Sequence, residues 1–192
     1  SEIEREQVEW VEELVQAVSI PIAIKLAPAY TNVVEVVRRM DELGARAFVL
    51  FNRLYESEID IKREKVVAAM NFSRETDSHV PMRYAGLLEG TVRADLCCST
   101  GIAGSQETIK MLLAGAKVVQ VVSTLYANGI GHLGVMRQEL LAWMEGKEYR
   151  NLEDFRGKLS QRHLSYPDVY TRGQYVKALM NPEQMIGNAP VL

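Results

Sequence analysis

The chain has 192 residues, 47% of them apolar and 24% charged, with a net charge of −3. One domain spanning 1–192 with a sizeable core is therefore expected. The charge provides no overall basic field for nucleic acid or an anionic membrane, and no apolar run approaches the length of a membrane span. With no signal-peptide pattern at the start, a cytoplasmic protein with neither a membrane nor a nucleic-acid partner is expected. Cys97 and Cys98 are neighbours in an apolar run, poorly placed for a structural disulfide, and reduced buried thiols are expected.

In chain order, Ile3 to Val18 forms an amphipathic helical pattern, with Val11, Leu14, Val15 and Val18 on one stripe and glutamates opposite. Ile20-Pro21-Ile22-Ala23-Ile24 predicts a short strand ending at Lys25. Thr31 or Asn32 caps a helix whose stripe is Val33, Val36, Val37 and Met40, closed by Gly44. Ala47 to Phe51 is the next strand, ending in Asn52-Arg53. Strand, helix, strand with short loops is the signature of a parallel sheet covered by helices.

From Leu54 to Ser78 the period breaks. Ile59-Asp60-Ile61 and Val66-Val67-Ala68 predict the two arms of a hairpin, and Asn71 to Ser78 a polar loop. So long an excursion is often a functional lid. Pro81 suits the first turn of a helix to Leu88, with Gly90 just past its end.

The most informative stretch is Leu96 to Tyr126. A strand over Ala94 to Ser99 ends in Ser99-Thr100-Gly101, where a glycine lets backbone approach a ligand closely. Ser105 and Glu107 open a helix with Ile109, Leu112, Leu113 and Ala116 at helical spacing, and Val118 to Val122 is a buried-type strand. This βα turn predicts a helix N-terminus presenting free N–H groups to an anion. Beyond it come a long helix with the stripe Leu133, Met136, Leu140, Leu141 and Met144, and a short one over Asn151 to Phe155. An irregular stretch over Gly157 to Thr171 and a last helix over Arg172 to Met180 complete the chain.

In parallel βα folds, ligands bind beyond the carboxyl ends of the strands. Those ends carry Lys25, Asn52, Ser99-Thr100-Gly101 and Ser123-Thr124. A lysine closing an apolar strand needs an acceptor, either a neighbouring carboxylate or a bound anion or electron-rich ring. Asn52 has the donors and acceptor to read a planar amide edge, and equally to cap its own loop.

The blocks Ile-Pro-Ile-Ala-Ile-Lys25-Leu-Ala-Pro, Leu-Phe-Asn52-Arg, Cys-Ser-Thr100-Gly101 and Val-Val-Gln-Val-Val-Ser123-Thr-Leu, in this order, resemble the dihydroorotate dehydrogenase family. Met82 to Val92 and Tyr170 to Leu179 are similar to its dihydroorotate dehydrogenase-like FMN flavoproteins. The resemblance implies an α/β fold of (β/α)8 TIM-barrel type, of which the chain is the C-terminal half, with about four parallel strands and outer helices. It implies an FMN-dependent oxidation of dihydroorotate or a related dihydropyrimidine, within pyrimidine biosynthesis.

By the same resemblance, Lys25 contacts the flavin ring and stabilises its reduced form. Asn52 binds the pyrimidine substrate. Thr100 and Gly101, with Val122 and Ser123, hold the FMN phosphate through backbone N–H groups. No catalytic base and no metal site is assigned to this chain, since the family's general base lies in the first half of the barrel. Two departures, Gly101-Ile102 in place of two consecutive glycines and Val122 in place of Gly or Ala, crowd the phosphate loops and predict weak FMN binding by the chain alone. The alternatives are a catalytically inactive half-barrel acting as a binding or assembly module, and another FMN barrel such as a dihydrouridine synthase. An open half-barrel with an inner face of Ile22, Ile24, Val49, Phe51 and Val121 is expected to associate, as a homodimer or with a complementary N-terminal half.

Overall fold

Residues 2–53, 57–68, 71–165 and 170–171 are described by the computed structural model. The first apolar stripe folds as α1 (Glu2–Ala17), with Val8 and Val11 buried. Leu14 and Val18 of the expected stripe stay exposed, so the buried arc is narrower than the sequence pattern. Asn32 caps α2 (Val33–Glu42), its side-chain oxygen accepting the Glu35 N–H at 3.2 Å, and the whole expected stripe is buried.

The strands β1 (Ala23–Leu26), β2 (Ala47–Leu50), β5 (Asp95–Ser99) and β6 (Val118–Gln120) form one parallel sheet in the order β1-β2-β5-β6. This is an α/β fold with the layout of half a (β/α)8 barrel. Between β2 and β5 lie the antiparallel hairpin of β3 (Ser57–Asp60) and β4 (Lys65–Ala68) and the helix α3 (His79–Leu88). Ile61, expected in the first hairpin arm, lies instead in the turn, where Asp60 Oδ1 accepts the Lys62 and Arg63 N–H groups. After β5 come α4 (Ser105–Ala114), α5 (Ser123–Asn128) and α6 (His132–Gly146). Of the α6 stripe, Met136 and Met144 are buried while Leu133 and Leu141 are exposed. The helix expected over Arg172–Met180 lies outside the described residues.

β1 starts three residues later than its apolar run. The ladder opens only at Ile22, whose carbonyl accepts the Arg46 and Ala47 N–H groups at 2.9 and 3.3 Å. Lys25 therefore lies inside the strand, in register with Val49, which is in turn in register with Cys97, and Cys97 with Val118. Alternate residues face opposite ways. Phe48, Leu50 and Cys98 point to the helical side and are fully buried there.

This register corrects the expected inner face. Of the five apolar residues assigned to it, Val49 alone lies on the row with Lys25 and Cys97. Ile24 and Val121 pack on the helical side, and Phe51 meets Tyr84 of α3 edge-on at 5.2 Å between ring centroids. The opposite face carries Lys25, Val49, Cys97, Ser99, Val118 and Gln120, a polar and apolar mixture. Among the described residues β6, expected to be buried, is an edge strand, and Val118 and Val122 are 54% and 62% exposed. Among the described residues no helix is long and apolar enough to cross a membrane.

Candidate anion and cofactor site

Hydrogen bonds between loops stitch the carboxyl ends of three strands together. Asn52 N–H donates to the Leu26 carbonyl at 2.6 Å and Phe51 N–H to the Ser99 carbonyl at 3.3 Å. The Thr100 hydroxyl donates to the Phe51 carbonyl at 3.1 Å. At this seam the chain turns left-handed over two residues, Thr100 at φ +84° and Gly101 at φ +74°. A threonine there is uncommon and strained, a state that persists only where the surroundings enforce it.

Across these ends lies a cavity of about 200 Å³. Its lining includes all six residues singled out from the sequence: Lys25, Asn52, Thr100, Gly101, Val122 and Ser123. Arg53, Ser73, Ser99 and Gln120 complete its polar wall. Two cations and several hydroxyls line it, and no carboxylate does, a composition suited to an anion. A larger cleft of about 520 Å³ opens at the other end of the strands, between α1 and the entry to β1 and β2. Of its two acids, Asp41 accepts the Arg93 and Ala94 N–H groups and Glu42 pairs with Arg38. The cavity at the carboxyl ends is the candidate, because parallel βα folds present their variable loops there.

Arg53 and Ser73 were not assigned from the sequence. They belong to a strap, residues 71–78, that crosses the cavity. Arg53 donates to the Asn71 carbonyl at 2.6 Å and pairs with Asp77 at 3.9 Å. Ser73 donates its N–H and its hydroxyl to Ser123 Oγ at 3.2 and 3.0 Å. The Phe72 ring stacks on Tyr126 of α5 at 5.7 Å. The only sequence signal was the polar run itself, and nothing in it indicates which strand end the strap reaches. Glu75–Ser78 forms a 3-10 turn rather than open loop.

Gly101 lies directly under this strap. A Cβ there would collide with the Ser78 nitrogen and crowd the Asp77 and Arg74 backbone. The glycine is thus required by the chain's own packing. The start of α4 also differs from expectation: the Gly104 N–H is taken by the buried Glu107 carboxylate at 3.2 Å, which also pairs with Lys110 at 3.4 Å. That helix end is capped from within. Ser123, expected at a strand end, is the first residue of α5. The two loops are joined by Thr124, whose hydroxyl donates to the Ala103 carbonyl at 2.7 Å, and His132 contacts the same carbonyl at 3.1 Å.

On the inner face, burial pushes the Cys97 thiol up from its ordinary pKa, and the nearby Lys25 charge partly opposes the shift. Cys98, behind it, is pushed up further, by burial and then by Cys97. Neither thiol is set up as a nucleophile.

A parallel βα sheet with helices on one side and a polar cavity over its carboxyl ends is the architecture of half a (β/α)8 barrel. Sequence comparison agrees with this reading. The chain is similar to dihydroorotate dehydrogenase B (NAD(+)), catalytic subunit, of Thermoplasma volcanium, 26% identical over 155 residues that make up 79% of this chain and 51% of that protein. It is similar to dihydroorotate dehydrogenase A (fumarate) of Lactobacillus helveticus, 27% identical over 154 residues, 79% of this chain and 50% of the relative. With the type B catalytic subunit of Methanocaldococcus jannaschii it shares 25% identity over 145 residues, 74% and 47% of the two chains. No family model matches the chain. It spans about half the length of the curated relatives it matches, as a C-terminal half-barrel would.

Proposed function

We propose that this chain is the phosphate-holding and substrate-reading half of an FMN-dependent oxidoreductase of dihydroorotate dehydrogenase type. The observation that supports it is the convergence of Lys25, Asn52, Thr100, Gly101, Val122 and Ser123 on one cavity free of carboxylates. At about 200 Å³ the cavity is smaller than the ~300–1,000 Å³ of ligand clefts. A cavity of this size would take the phosphate end of the cofactor, and Lys25 is the residue of its wall that would meet the ring.

FMN, when bound, would supply the two-electron acceptor for a dihydropyrimidine. The protein's part is binding and orientation. Lys25 would supply a cation to the ring, which would favour the electron-rich reduced form. Asn52 offers two donors and an acceptor to the planar amide edges of a pyrimidine. Ser123 and the backbone of the Thr100-Gly101 turn hold the phosphate. Among the described residues the four strands leave β1 and β6 as open edges, and four further strands, from a second copy or from a complementary N-terminal half, would close them.

Flavin fluorescence titration is the test. FMN binds the chain weakly but tighter than riboflavin does, and Ser123→Ala removes that preference. Equal affinity for the two flavins would overturn the proposal. In the closed barrel, Lys25→Ala lowers the flavin reduction potential, and Asn52→Ala weakens substrate binding while flavin stays in place.

A further inference from the structure

The polar side chains that line the cavity at the carboxyl ends divide into two groups. Ser73 and Ser123 hydrogen-bond to each other, Thr100 donates to the Phe51 carbonyl and Arg53 to the Asn71 carbonyl. Lys25, Asn52, Ser99 and Gln120 have neither a side-chain hydrogen bond nor an ion pair among the described residues. The proposed flavin and substrate contacts use Lys25 and Asn52. Ser99 and Gln120 are left without a task.

The sheet brings these two together. Ser99 on β5 is in register with Gln120 on β6, and neighbouring strands lie about 4.8 Å apart. Each stands two residues beyond the row of Cys97 and Val118, so both belong to the face that carries Lys25. Ser99 is only 8% exposed, and a hydroxyl buried that far without a partner has lost its water for no hydrogen bond in return. Gln120 is exposed, with a carboxamide oxygen and two N–H groups to offer.

Ser99 directly precedes the Thr100-Gly101 turn, and Gln120 lies three positions before Ser123. The pair therefore stands at the foot of the two loops assigned to the phosphate. A phosphate monoester held there would present to it the group esterified to the phosphate. A hydroxyl and a carboxamide both donate and accept, as alcohols do. A ring carbonyl calls only for donors and a ring N–H only for acceptors, whereas a chain of hydroxyls uses both. Lys25, assigned to the ring, is on β1 at the opposite edge of the sheet. We propose that Ser99 and Gln120 are a specificity-determining pair that binds the polyol chain next to the phosphate, the ribityl chain of FMN. This rests on the reading of the cavity as the phosphate end of a flavin site, and it adds what the site selects: a sugar-alcohol phosphate over bare phosphate.

The test is an NMR titration of the intact chain with inorganic phosphate, ribitol 5-phosphate and ribitol, following the backbone amides of Gly101 and Ser123 and the side-chain amide of Gln120. Ribitol 5-phosphate is expected to bind about tenfold tighter than inorganic phosphate, the scale of one or two net hydrogen bonds, and to shift the Gln120 side-chain amide. Gln120→Leu and Ser99→Ala should each reduce that preference, and the double variant should abolish it, while the affinity for inorganic phosphate stays unchanged in all three. Ser99→Thr, which keeps the hydroxyl, should retain the preference. If both phosphates bind equally to the unaltered chain, or if the double variant keeps the preference, the pair's role is overturned and the phosphate site stands. If Gln120→Leu weakens inorganic phosphate as much as ribitol 5-phosphate, Gln120 acts only through the fold and the proposal falls. If ribitol shifts Gln120 while inorganic phosphate moves nothing, the pair stands and the phosphate reading falls. If none of the three probes moves any of these signals, both fall.

Discussion

Gly101 sits so close beneath Ser78 that no side chain fits between them, and its backbone is left-handed at φ +74°. Gly101→Ala is expected to destabilise the fold by roughly 2–4 kcal/mol, combining the left-handed penalty with the collision against backbone that cannot swing aside. Urea denaturation measures it. Gly134, near the start of α6, has open space around the position of a Cβ, and Gly134→Ala should stabilise by about 0.5 kcal/mol. Equal effects at the two positions would show that the strap does not press on Gly101.

Asp41 is buried at the end of α2 and accepts the N–H groups of Arg93 and Ala94 at 3.1 and 2.8 Å, just before β5. Asp41→Ala leaves two donors without an acceptor at the entry to a central strand. A loss of roughly 2–3 kcal/mol is expected. Asp41→Asn, which keeps one acceptor oxygen, should cost about 1 kcal/mol. Chemical denaturation of the pair of variants decides whether the carboxylate or merely its volume matters.

The buried thiols give a pH dependence with a definite sign. Folded Cys97 and Cys98 hold their protons above the ordinary thiol range, because burial disfavours the thiolate. The unfolded chain releases them near its unperturbed value of about 8.5. Stability is thus fully present below that pH and falls as pH rises above it. Tyr30 and Tyr170 are also raised by burial and add to the slope nearer the phenol range, from about pH 10. Between pH 8 and 9.5 the slope should flatten in a Cys97→Ala, Cys98→Ala double variant. A slope unchanged by removing both thiols would refute this.

The open edges predict association. Among the described residues β1 and β6 each lack a neighbour on one side, and exposed apolar groups flank them: Ile20 beside β1, and Val118 and Val122 on and after β6. Light scattering at micromolar concentration is expected to show a dimer, related by a two-fold axis along the sheet's strand direction so that β1 of each copy meets β6 of the other. Such an interface belongs to the class of about 2,000 Å² or more. A stable monomer would mean that local chain covers these edges. Mixing with a complementary half-barrel should dissociate the dimer.

Much of the architecture was legible from local pattern. Asn32, the stripe Val33, Val36, Val37 and Met40, and Pro81 mark helices by capping and periodicity, which are properties of neighbouring residues. The polar residues at strand ends, from Lys25 to Ser123, were legible because each interrupts an apolar run, and the parallel βα period forces such interruptions to one end of the sheet. What the sequence could not determine was parity, edges and long-range seating. Ile24 takes the helical face and Lys25 the other because hydrogen bonding to Arg46 and Ala47 starts the ladder at Ile22 and sets the register with β2, and nothing within the Ile-Pro-Ile-Ala-Ile run encodes that start. Val118 and Val122 look like core residues in sequence and are exposed because, among the described residues, no strand follows β6 in the sheet. The strap's placement of Ser73 on Ser123 and of Ser78 on Gly101 spans 50 and 23 positions, and only the closed tertiary structure brings those groups together.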